Sequence, residues 1–127
     1  MRIEVSHGEV VDKYTILKIK SERISDLDKL KFINQELEQL NRSIIYFLHL
    51  DASLQEHIDQ LYEINKTLWD IEDAIRKKEY YQQFDDEFIA LARRVYFTND
   101  KRANVKALIN ERTNSDFREM KQYSEYH

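Results

Sequence analysis

Residues 30–48 read LKFINQELEQLNRSIIYFL. Leu30, Ile33, Leu37, Leu40, Ile44 and Phe47 recur there at steps of three and four. That spacing lays one apolar stripe along an α-helix, and its polar complement, Gln35, Glu38, Gln39 and Arg42, fills the opposite face. A helix with one apolar stripe needs other helices or a sheet to bury it. The rest of the chain supplies only helices.

Working upstream, Ser6 followed three residues on by Glu9 is a capping box that starts a first helix near residue 8. Its apolar face is expected at Val10, Tyr14, Leu17 and Ile24, and MRIEVS before it reads as a short extended segment. SDLD, residues 25–28, repeats the start signal for the second helix. Downstream, LDAS (50–53) breaks the pattern, with Asp51 or Ser53 as the next cap. A third helix follows with Leu54, Ile58, Leu61, Asn65, Leu68, Glu72 and Ile75 on one face. Asp85 or Asp86 caps a fourth, with Phe84, Phe88, Leu91, Val95, Thr98, Arg102, Val105 and Ile109 inward. The tail after ERTNSD is either a short helix from Thr113 or Ser115 or a frayed end.

The composition agrees. One Gly and no Pro in 127 residues leave almost nothing for the tight turns that sheets require. The expectation is a single all-α domain over residues 1–127, an antiparallel up-down-up-down four-helix bundle. With charged residues at 35%, both signs mixed, and a net charge of −4, no nucleic-acid partner is expected. No apolar run approaches 18 residues, so no membrane span is expected. The lack of cysteine and of a leader-like N-terminus leaves a cytoplasmic protein as the expectation.

The interruptions of the apolar faces mark the candidate site. Asn65 and Glu72 stand where the third helix should bury Leu or Ile, and Arg102, flanked by Asn99, does the same on the fourth. Buried charges cost several kcal/mol unless paired, so these residues should meet each other or a ligand. Antiparallel neighbours in the third and fourth helices have numbers summing to about 164 at 1.5 Å per residue. Asn65 is then level with Asn99, within a turn of Arg102. The same count brings Asp12 and Lys13 to the Asn65 layer and Lys20 to the Glu72 layer. Trp69 and Asp73 fall at the edge of that groove, and Arg76 follows Glu72 by one turn.

Two readings of these layers remain open. They fix the register of the bundle, as single buried polar residues do in coiled coils. Or they line a pocket for an anionic ligand, phosphorylated or nucleotide- or sugar-linked, as inter-helix sites do. In the second reading Lys13, Lys20, Arg76 and Arg102 neutralise the anion, Asn65 and Asn99 orient it, and Trp69 stacks on a ring. Asp12 completes the layer, and Glu72 or Asp73 acts as base. No cofactor is expected. Glu9 with Asp12 and Asp70 with Asp73 are carboxylates three apart, yet they match poorly the glutamate-rich helices of all-helical nucleotide pyrophosphatases. If Mg²⁺ were bound, Asp12 and Asp73 would hold it. His7, His49, His57 and His127 share no face with a second ligand and read as solvated. No Ser-His-Asp set, phosphate loop or nucleophile elbow is present. The clean stripe of the second helix and the tyrosine-rich EYYQQF (79–84) favour an interaction or scaffold protein that self-associates or docks a protein partner.

Three blocks, VSHGEVVDKYTILKIKSERI, N..LWDIEDAIR and LARRVYFTNDKRANVKALIN, resemble those of a small bacterial and phage family, domain of unknown function 6165. N..LW..ED..R followed by N..R is similar, more weakly, to a second helical family, number 4254. The resemblance implies an all-helical domain with no established activity. The matching positions include Asp12, Lys13, Thr15, Lys20, Asn65, Trp69, Glu72, Asp73, Arg76, Asn99 and Arg102.

Overall fold

The computed structural model describes residues 1–118 and contains α1 (His7–Arg23), α2 (Leu27–Leu50), α3 (Leu54–Tyr80) and α4 (Asp86–Arg112). Among the described residues there is no strand. Of the two alternatives for the tail, a helix from Thr113 or Ser115 is not formed over residues 113–118, and residues 119–127 lie outside the described residues.

Local chemistry sets the helix starts. The Ser6 hydroxyl accepts the Glu9 N–H at 3.1 Å, which satisfies one orphan donor of α1. The Glu9 carboxylate lies 2.6 Å from the Lys106 ammonium on α4. The α2 cap is Asp26 and not Ser25: its carboxylate takes the N–H groups of Asp28 and Lys29 at 3.0 and 3.2 Å. An acid there also meets the positive end of the helix dipole, which a serine does not. Asp85 caps α4 by accepting from Phe88 N–H at 3.0 Å. Two helix ends use a left-handed residue without glycine. Gln82 (φ 56°) and Asn114 (φ 52°) close α3 and α4. Gln83 N–H reaches back to Lys78 O, and Ser115 N–H to Asn110 O, the Schellman pattern.

The turns of three to five residues make successive helices antiparallel. Arg112 beside Asp51 and Ser53, and Lys78 beside Asp85, keep α3 and α4 at the predicted register sum. The helices are not equivalent neighbours, however. α1 packs against all three others, α3 and α4 form the tightest pair, and α2 leans on α1 and touches α3 only slightly. Hence α1 buries Val11, Asp12, Thr15 and Ile19 as well as the expected Leu17, while Val10 and Tyr14 of the expected face are partly buried against the core.

The main core joins Val11, Ile44, Phe47, Leu54, Ile58, Leu61, Val105 and Ile109 from all four helices. Its end is latched by the chain's one glycine. Gly8 N–H donates to Asn110 Oδ1 at 2.6 Å, and a Cβ at Gly8 would sit 2.6 Å from Lys106 O. His7 is part of the same latch and not a solvated surface histidine. Its ring lies 4.9 Å from that of Phe47, and Nδ1 is 2.8 Å from Thr113 Oγ1.

Candidate functional site

The centre of the candidate site is Asp12, 1% exposed on α1. A carboxylate that deep needs its oxygens satisfied. Arg102 of α4 provides a two-pronged contact: Nε donates to Oδ1 at 2.9 Å and Nη2 makes a short bond to Oδ2. Asn65 of α3 donates from Nδ2 to the same Oδ1 at 2.9 Å and to Thr15 Oγ1 at 2.9 Å. The Thr15 hydroxyl in turn donates to the Asp12 carbonyl at 2.8 Å. The bond to Asp12 raises the Arg102 pKa further above its ordinary value, against the opposing pull of burial. Among the described residues no buried side-chain polar atom lacks a hydrogen bond.

Beside this network a cleft of about 300 Å³ opens between α1, α3 and α4. Asn65, Trp69, Glu72, Asn99 and Arg102 line it, over apolar walls that include Leu68 and Val95. The Arg23 guanidinium sits 5.8 Å from the centre of the Trp69 ring and 2.6 Å from Asp70. Six of the residues singled out from the sequence are therefore together, five on the cleft and Asp12 behind Arg102.

The others are elsewhere. Lys13 is exposed and reaches Glu36 of α2 at 2.5 Å. Arg76, with its side chain 81% exposed, lies 3.8 Å from Glu72. Lys20 and Asp73 do not line the cleft, and Asp73 is exposed. Glu72 is a correction of a different kind. Its expected inward position belongs to Ile71, 2% exposed, and Glu72 stands at the cleft mouth with half its side chain in solvent. The apolar spacing admits a step of three or of four after Leu68, and the helix takes three. Of the two carboxylates weighed for Mg²⁺, Asp12 is committed to Arg102 and Asp73 faces solvent. Among the described residues no three His, Cys, Asp or Glu side chains gather. Sequence reasoning missed Thr15 as a network member; its signal was its place one turn after Asp12 on a buried face.

The chain matches, over residues 1–126, the model of a family described as being of unknown function. It belongs to the DUF6165 family. No curated protein and no solved structure matches this DUF6165 chain. No helix among its described residues is long and apolar enough to cross a membrane.

Proposed function

We propose that this DUF6165 chain is a self-associating helical interaction module, working in the cytoplasm as a scaffold. One observation carries the reading: the described part of the molecule exposes more large hydrophobic side chains, 16, than it buries in its core, 12. Single exposed hydrophobics are ordinary, but these come in groups, Ile45 with Tyr46, Tyr80, Tyr81 and Phe84, and Tyr96 with Phe97. Light scattering across a concentration series tests it. The expected result is a mass above that of the 15.5 kDa chain; a single monomeric mass throughout would overturn self-association.

The cleft supports a second reading, a small-molecule site. Asp12 offsets the Arg102 charge, and Glu72 adds a negative charge at the mouth. That balance favours a ligand recognised by neutral hydrogen-bonding groups and the Trp69 face over one recognised through a phosphate. Because Trp69 is the one tryptophan in the chain, its fluorescence reports on the cleft directly. Titration with nucleosides, monosaccharides and their phosphates, with and without Mg²⁺, should shift its emission. An unchanged spectrum across the panel would remove this reading.

A further inference from the structure

The self-association just proposed needs a surface, and one face of the molecule complements itself. The outward side of α4 carries Ile89, Arg93, Phe97, Lys101, Asn104 and Leu108 at steps of three and four. Ile89, Phe97 and Leu108 are 54%, 41% and 42% exposed. The two halves of this face differ. Along the C-terminal half runs a groove of about 920 Å³ shared with α3. Its floor includes Ile64, Val105 and Leu108, and its α3 edge is the acidic row Glu56, Asp59 and Glu63. Along the N-terminal half stand the exposed cations Arg93 and Arg94.

We infer that two copies of this chain pack α4 against α4, antiparallel, about a twofold axis near residues 98 and 99. In that register facing residues have numbers summing to about 197 at 1.5 Å per residue. Ile89 of each copy then covers Leu108 of the other, and the two Phe97 rings flank the axis. Within one chain, residues level across α3 and α4 sum to about 164, so Glu63 stands beside Lys101 and Asp59 beside Val105. Arg93 and Arg94 of one copy fall opposite positions 103 and 104 of the other, between those two carboxylates. An isologous interface makes each contact twice, so one apolar pair and one charge cluster become two of each. Parallel pairing would set Arg93 against Arg93, a like-charge arrangement that is disfavoured. The Tyr80–Phe84 tip also stands between cations and acids, but there Lys78 already pairs with Asp85 and Glu87 within the chain, at 2.9 and 3.0 Å.

This inference rests on the self-association reading, and its test separates the two. The chain has no cysteine, so introduced thiols report cleanly. Ala90 and Ala107 are exposed and pair across the proposed axis. Within one chain they lie ~25 Å apart along α4, beyond disulfide reach. Mild oxidation of the Ala90→Cys/Ala107→Cys variant should give a covalent dimer joined 90 to 107, whereas Asp28→Cys/Glu38→Cys on α2 should not. Separately, Arg94→Glu and Glu63→Arg should each weaken the dimer by about tenfold or more, and combining them should restore it. Circular dichroism checks that every variant is folded. If the wild type is dimeric but neither the cross-link nor the charge-swap rescue is seen, this interface is overturned and self-association stands. If the wild type is monomeric, both fall.

Discussion

Asp12 lies under donors from two other helices, while Glu72, the acid that the helical spacing singled out, stands at the cleft mouth beside solvent-exposed Arg76. Their replacement by the isosteric amide should therefore differ sharply. Asp12→Asn leaves a half-buried guanidinium without its counter-charge, and unfolding in denaturant should show a loss of about 3 kcal/mol. Glu72→Gln removes one side of an exposed, loosely held pair and should stay within about 0.5 kcal/mol of wild type. Equal losses would mean that the two acids share one network. Gly8 is decided by geometry in the same way. Alanine is favoured over glycine inside a helix by roughly 1 kcal/mol, but here its Cβ would meet the Lys106 carbonyl at 2.6 Å, a backbone atom that cannot swing aside. Overpacking costs typically about 1–3 kcal/mol, and it should win. Gly8→Ala is expected to lower the melting temperature, and a rise would show that α1 can slide off α4 at no cost.

At the scale of helices, the α3–α4 junction shows how local charge tunes an element. Asp85 caps α4, and its carboxylate also lies 2.9 Å from the Lys78 ammonium. The hydrogen bond from Lys78, then that from the Phe88 N–H, holds the Asp85 carboxyl below its ordinary range. A depressed acid contributes stability above its unfolded pKa and loses it as pH falls through the folded value. Asp85→Asn keeps a side-chain acceptor for the cap and removes the charge. Wild type should thus be the more stable at pH 7, with the difference closing below about pH 4. A gap that persists at pH 2 would assign the effect to packing. This junction also shows what was legible. An acidic cap, Asp85 or Asp86, could be read because acids precede an apolar-periodic run, and the backbone selects Asp85. At the start of α2 the spacing pointed to Ser25, with an acid three residues on, but Asp26 is a capping residue too and the backbone selects it. The closing of α3 at Gln82 left no trace, because glutamine carries no preference for positive φ.

Across the whole molecule, the α3–α4 register count brought Asn65 and Arg102 together because the turn between the helices is short. The count also placed Asp12 correctly, but it sent Lys13 and Lys20 to a site they do not share. Sequence spacing gives height along a bundle accurately and direction around a helix poorly, since one residue is 100° of turn. It also treats helices as equal, and here they are not. α2 has the cleanest apolar stripe in the chain, yet it leans mainly on α1, leaving a cavity of about 570 Å³ toward α3. Its C-terminal half is tied into the core by Ile44 and Phe47, whereas its N-terminal half buries only Ile33 and exposes Leu27 and Phe32. Segments with few buried apolar contacts open below the global unfolding free energy. Amide hydrogen exchange should therefore find residues 27–40 exchanging through local opening, while α3 and α4 around Leu61 and Ile109 exchange only on global unfolding. The Asp12–Arg102 pair joins α1 to α4 without α2, so Asp12→Asn should accelerate exchange in α1, α3 and α4 and barely alter residues 27–40. Uniform protection along α2 would mean that its stripe is fully satisfied. In that case the helix is as firmly held as the other three, and the unequal packing carries no difference in stability.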